Sequence, residues 1–282
     1  MSIYLSDTAE NLIVNGPSAA FTYRRLGPQG GIPLVLLNRV RATIDSWDPE
    51  LLDHLAADHD VIVFDNVGIG YTTGEPRDSL DGFAEGAIEF IEALGLTLVN
   101  LLGWTLGGTV AQRVALRRPE LVRKLVLASS NPGGQTPGAP APNPKIFATM
   151  TKPEVTGEDL VYLFFPETDA GRTAGHEYLA RIAARSATDP GVSEASGKGH
   201  LTAIGENAAI PFDQVLTDLR KIEQPVLYAT GLHDAMTPAV VSYTAAENTG
   251  SATLIGYSDA GHAFLFQHAE AFAVQVATFL ED

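Results

Sequence analysis

LLGWTLGGTV, residues 101–110, is the stretch on which the reading of this chain turns. Its apolar opening suits a buried strand, its close suits a helix, and between them Gly103, Trp104, Thr105, Leu106 and Gly107 follow the spacing G-x-S-x-G with threonine in the serine place. In such a strand-to-helix turn the outer glycines relieve crowding around a central residue held in a strained backbone, so that its side-chain oxygen projects above the sheet. Thr105 is therefore a candidate nucleophile. The plainer alternative is a glycine-rich bend that carries no chemistry.

The segments around it alternate between two textures. IPLVLLN, DVIVFD, LTLVNLLG and VRKLVLAS are short apolar runs of the kind that buried parallel strands give. DPELLDHLAA, SLDGFAEGAIEFIEALG and LGGTVAQRVALRRP place apolar residues at helical spacing between those runs. The alternation resumes later with QPVLYATG, PAVVSYTAAEN, SATLIGYS and the terminal AEAFAVQVATFLE. Such an order implies an α/β protein with a mostly parallel sheet and helices on both faces, and the opening strands near Leu12–Val14 and Phe21–Arg24 suit an antiparallel edge. The interruption starts at the Pro/Gly-rich NPGGQTPGAPAPNPK, and residues 145–209 beyond it offer helical pieces, GEDLVYLFF and AGRTAGHEYLARIAARSA, with no convincing strand.

Two residues downstream of the elbow can complete a catalytic set. Asp234 follows a late strand in YATGLHDAMTP, and His262 follows the next in YSDAGHAF. A doubly wound sheet converges residues from the carboxyl ends of its strands at one edge, so nucleophile, acid and histidine in this order fit one site. His262 would be the general base and Asp234 would fix its tautomer. Taken singly, each has a plain alternative: a solvated loop histidine, and a cap for the helix starting near Pro238.

With these residues in view, the chain resembles the α/β-hydrolase superfamily over nearly its whole length. FDNVGIGYTTG is similar to the family's D-x-x-G-x-G-x-[ST] loop through Asp65, Gly68, Gly70 and Thr72. GLHDAMTP resembles its G-x-x-D-x-x-x-P segment, and AGHAFLFQHAEAF its closing histidine segment. The resemblance implies an α/β-hydrolase core over 1–134 and 210–282 and an inserted helical cap over 135–209. It also implies oxyanion donors in the backbone N–H groups of Val40 and Leu106, and a substrate wall that would draw on Asn38, Arg39, Trp104, Phe147, Tyr162, Phe164 and Phe165. The cap aromatics have an alternative use as the cap's own core.

The chain departs from the family in two places. Where the family has His-Gly after the third strand, this chain has Asn38 and Arg39, followed by Val40 and Arg41. A cation pointed into the mouth would favour a substrate with an acidic or carbonyl-rich group, whereas a surface or salt-bridging arginine would have no such effect. The second departure is Thr105 itself. A β-branched residue at positive φ costs more than serine, and its methyl crowds the attacked carbonyl, yet its hydroxyl remains a usable nucleophile.

Composition narrows the partners. With 34 acidic against 18 basic residues the net charge is −16, which repels phosphate backbones and anionic lipid, so neither nucleic acid nor a membrane is an expected partner. The uncharged stretch Ala93–Gln112 approaches the length of a membrane span, but its glycines and Asn100 divide it into strand, turn and helix. No basic and apolar leader is visible at the N-terminus, and a cytoplasmic enzyme is the default expectation. With no cysteine and no tight histidine cluster, no metal or cofactor is expected. Three functions stay open: a hydrolase of hydrophobic carboxylic esters or lactones through an acyl-enzyme, a non-hydrolytic enzyme such as a lyase or cofactor-independent oxygenase using His262 and Asp234 as base, and a ligand-binding receptor with vestigial activity.

Overall fold

Hydrophobic runs one to three residues shorter than their quoted segments form the strands of a computed structural model, which describes residues 4–185 and 189–281. Strands β1 (Leu12–Asn15), β2 (Ala20–Leu26), β3 (Leu34–Leu37), β4 (Val61–Phe64), β5 (Val99–Trp104), β6 (Val122–Ala128), β7 (Val226–Gly231) and β8 (Ala252–Tyr257) make one sheet in the order β1-β2-β4-β3-β5-β6-β7-β8. β1 and β2 are antiparallel to their neighbours, as the opening of the sequence suggests, and every other pairing is parallel. Parallel strands need crossovers, and each crossover helix must bury one apolar stripe, so the sheet acquires a helical layer on each face.

The helices in chain order are α1 (Leu5–Thr8), α2 (Pro49–Ala56), α3 (Leu80–Ala93), α4 (Leu106–Arg117), α5 (Pro144–Met150), α6 (Gly157–Phe164), α7 (Asp169–Ile182), α8 (Glu194–Ala209), α9 (Phe212–Leu219), α10 (Ala239–Glu247), α11 (Phe264–Gln267) and α12 (Ala269–Glu281). Val35 and Leu37 of β3 point into the core shared with α3, α4 and α10, while Leu34 and Leu36 point into the core shared with α2 and α12. That alternation along a fully buried strand is the pleat itself. Residues 93–112 divide into β5, the turn at Thr105 and the start of α4, and among the described residues no helix is long and apolar enough to cross a membrane.

Between β6 and β7 the chain leaves the sheet for helices α5 to α9. The sequence signals α6 and α7; the expected end of the second piece, at Ser186 and Ala187, lies outside the described residues, as do the first three residues of the N-terminal reading. Helix α8 carries little amphipathic signal because three glycines interrupt it, and its Gly199 packs where a Cβ would meet the Arg77 carbonyl oxygen at 2.1 Å. Helix α7 is docked firmly on the core. Tyr178 is fully buried, donates to the Ser46 carbonyl at 2.9 Å and stacks on Phe266, and Arg181 pairs with the buried Asp48 at 2.7 Å.

Asp65, Gly68, Gly70 and Thr72 form a clasp behind β4. The Asp65 carboxylate accepts from the N–H groups of Ile44 (2.8 Å) and Tyr71 (3.1 Å), and Thr72 Oγ1 donates to the Asp65 carbonyl at 2.8 Å. These bonds hold the loop after β3 against the loop after β4, at the same end of the sheet as Thr105.

Candidate active site

Thr105 sits at φ 51° and ψ −114° between β5 and α4, a backbone conformation that β-branched residues rarely adopt. Close packing explains the glycines beside it. A Cβ on Gly103 would stand 2.3 Å from the Gly107 carbonyl oxygen, and one on Gly107 would stand 2.0 Å from the Leu37 carbonyl oxygen. The turn is therefore pressed between β3 and its own helix, and the Thr105 N–H is fixed to the Ala128 carbonyl at 2.9 Å.

His262 and Asp234 meet at this edge. His262 Nδ1 lies 2.8 Å from Asp234 Oδ2, and both side chains are buried. The other carboxylate oxygen accepts from the N–H groups of Met236 (2.9 Å) and Thr237 (2.8 Å), so Asp234 is held on both sides. An ionised carboxylate here accepts the Nδ1 proton, which leaves Nε2 as the lone-pair nitrogen. Nε2 is buried and has no hydrogen-bond partner among the described residues. The neighbouring acid, Asp259, bonds His268 Nε2 at 2.9 Å instead.

Thr105 and His262 line one cavity of about 410 Å³ with Val40, Leu106, Phe147 and Phe164. Leu106 opens α4, where the first N–H groups have no intrahelical acceptor, and neither its N–H nor that of Val40 donates to any group among the described residues. Ile146, Met150, Leu160 and Leu163 from α5 and α6 complete an apolar roof. The Phe164 carbonyl accepts from the Ala263 N–H at 2.9 Å, which joins α6 to the histidine turn.

Four expected wall residues stand elsewhere. The Asn38 side chain turns toward β4 and donates to the Phe64 carbonyl at 3.3 Å. Trp104 is buried beneath the floor, its ring against Phe164 and Phe266. Tyr162 and Phe165 line a second groove of about 560 Å³ on the other side of Phe164, where Lys145 sits over the Tyr162 ring and Phe165 packs on Tyr178. Within α6 Tyr162 projects away from Leu160, Phe165 follows the helix in extended backbone, and Leu163 and Phe164 border both spaces.

Arg39 is neither on the surface nor in a salt bridge among the described residues. It is 7% exposed, its guanidinium lies 5.0 Å from the Phe164 ring centroid and 5.5 Å from that of Trp104, and it borders the cavity. Arg41, at φ 52°, donates through its N–H to His200 Nδ1 (3.2 Å) and through Nη1 to the Lys152 carbonyl (2.5 Å). Burial, with Arg39 and Arg41 nearby, pushes the His200 imidazole down to about 4, so it is a neutral acceptor. His200, Ile204 and Asn207 of α8 were not singled out from sequence.

A family model described as the alpha/beta hydrolase fold matches residues 32–269. The chain belongs to that family. Among curated relatives, a 2-hydroxymuconate semialdehyde hydrolase of Pseudomonas putida is 29% identical over 232 residues, covering 79% of this chain and 77% of the relative. A non-heme chloroperoxidase of Streptomyces lividans is 28% identical over 278 residues, covering 92% and 95%. Among solved structures, an alpha/beta hydrolase fold protein from Chitinophaga pinensis superposes with a TM-score of 0.90 at 29% identity, over 98% of this chain and 99% of that one. These relatives put the chain among enzymes of one fold that differ in reaction.

Proposed function

We propose that the protein hydrolyses a carboxylic ester or lactone of a hydrophobic small molecule through an acyl-enzyme on Thr105. The observation that carries this reading is the polarised His262–Asp234 pair, whose single unpartnered nitrogen shares a cavity with a strained hydroxyl residue. In the first step Oγ1 of Thr105 bonds the acyl carbon while its proton passes to His262 Nε2, and Asp234 stabilises the imidazolium. The N–H groups of Val40 and Leu106 stabilise the charge on the carbonyl oxygen. Collapse breaks the bond to the alcohol oxygen, which takes the proton from Nε2. Water then gives a proton to Nε2 and attacks the same carbon, and Thr105 leaves with that proton. Helices α5 to α8 act as the cap, and the apolar roof from α5 and α6 favours an apolar acyl or alcohol group over a sugar or peptide.

One observation favours the second reading, a non-hydrolytic enzyme: Nε2 has no partner among the described residues, so the Thr105 hydroxyl is not hydrogen-bonded to it. In that reading His262 takes a proton from substrate directly and Thr105 only contacts it. A short activated ester separates the two. Acyl transfer requires a burst equal to the enzyme present and an acyl adduct on the Thr105 peptide, whereas steady turnover without adduct supports the second reading.

A further inference from the structure

The cavity wall is electrostatically opposite to the rest of the chain. A protein with net charge −16 lines this cavity with Arg39 and Arg41 and, among the described residues, with no aspartate or glutamate. Elsewhere the buried Arg24 pairs with Asp45 at 2.5 Å and the half-buried Arg181 with Asp48 at 2.7 Å. Neither Arg39 nor Arg41 has a carboxylate within ion-pair distance among the described residues. Burying a guanidinium without a counter-charge is costly, and proteins do so where a ligand supplies the charge.

Arg39 is also held as a receptor group would be. Nη1 donates to the carbonyl oxygens of Val40 (2.7 Å) and Arg41 (3.3 Å), the guanidinium is flanked by Trp104 and Phe164 with the Tyr178 side chain nearby, and Nε is buried with no hydrogen-bond partner among the described residues. Carbonyls and ring faces orient the group and leave its charge without a carboxylate among the described residues. Arg41 lies on the same loop, tied by carbonyls of α5 and the residues after it, and is likewise unneutralised.

We infer that the substrate carries a carboxylate, which Arg39 binds with Arg41 beside it, next to the scissile acyl group. The ligand is then an amphiphilic acid: an apolar body under α5 and α6, and one anionic end at the β3 loop. The inference rests on the hydrolase reading for its kinetic test and for the scissile acyl group, and not for the anion site itself. A merely bracing Arg39 would shape the Val40 loop without telling an acid from a neutral molecule.

The test compares 4-nitrophenyl hemiglutarate with its methyl ester, which differ at the far end in the charge and one methyl group. The parent is expected to favour the acid in kcat/KM by about tenfold or more at low salt, as a charge-assisted contact gives. Arg39→Met should bring that ratio toward one, and Arg41→Gln should lower it; the latter carries the test where Arg39→Met does not fold. Equal use of both esters by the parent, a preference for the methyl ester, or an unchanged ratio in both variants overturns the inference while the hydrolase reading stands. Where neither ester is turned over, calorimetric titration of the parent with pentanoate and pentanamide decides. Tighter pentanoate binding that Arg41→Gln or Arg39→Met abolishes upholds the anion site and sinks the hydrolase reading, and equal binding overturns the site.

Discussion

The indole Nε1 of Trp104 donates to the carbonyl oxygen of His262 at 3.0 Å. The last residue of β5 is thereby tied to the histidine turn after β8, two strands beyond its β6 neighbour, and Thr105 follows directly. Phe164 and Phe266 close on the same indole, so this bond is made in a dry setting where geometry is held tightly.

Trp104→Phe keeps a ring there and removes the donor. A buried carbonyl loses its partner, which costs about 1–3 kcal/mol of stability. Because the histidine turn is also released, kcat should fall by about tenfold with a smaller change in KM, since Trp104 does not line the cavity. Denaturant unfolding and steady-state kinetics on one variant check both; a stability loss with kcat intact would confine Trp104 to packing.

Two acids compete for the partner role, and geometry separates them. Asp234→Asn should lower kcat by roughly 10³-fold to 10⁴-fold, because an amide in that place favours the wrong imidazole tautomer. Asp259→Asn alters only an exposed contact with His268, and its activity should stay within about twofold of the parent. Comparable losses from both substitutions would overturn the assignment of Asp234.

The aromatic residues of the roof divide by exposure. Phe147 is 58% exposed and borders the cavity, so Phe147→Ala should change KM and chain-length preference with little change in Tm. Phe164 is 4% exposed and touches His262, Trp104 and Arg39; Phe164→Ala should cost about 3–5 kcal/mol through the cavity left behind. Thermal unfolding beside selectivity measurements on both variants checks the division, which fails if Phe147→Ala is the more destabilised.

His200 gives the pH dependence a definite sign. Its folded value is pushed down to about 4 from 6.5, so between those limits the unfolded chain binds a proton that the folded protein does not. The stability this contributes is complete above pH 6.5 and is lost as pH falls toward 4, by about 3 kcal/mol at most. Burial raises Asp65 to about 7, which slopes the other way over much of the same range. The difference between parent and His200→Gln therefore isolates the histidine: the parent's relative stability should drop from pH 7 to pH 4.5, and a pH-independent difference would contradict the assignment.

Much of this site is legible in the sequence because strand ends mark it. Thr105 and Asp234 each follow a buried apolar run and His262 follows the largely exposed edge strand β8, and a parallel sheet brings those strand ends to one edge. The roof was less legible. Residues 160 to 165 are all apolar except Tyr162, so nothing in the run tells which face meets the cavity, and both Tyr162 and Phe165 turned to the second groove. Arg39 shows the same limit for charge: its identity is plain, but its burial against Trp104 and Phe164 depends on contacts between residues up to 125 positions apart. Helix α8 gives no helical piece of its own in the sequence, because Gly197, Gly199 and Gly205 lower its helix propensity, and Gly199 is there for close packing against Arg77.

The most direct test of the account is single-turnover kinetics with mass detection of the adduct on Thr105→Ala and Thr105→Ser. The account predicts that Thr105→Ala forms no acyl adduct and loses roughly 10³-fold or more in kcat, while Thr105→Ser keeps the adduct and matches or exceeds the parent on simple esters, since the methyl and its backbone strain at φ 51° are relieved. Near-parental ester hydrolysis by Thr105→Ala would contradict it.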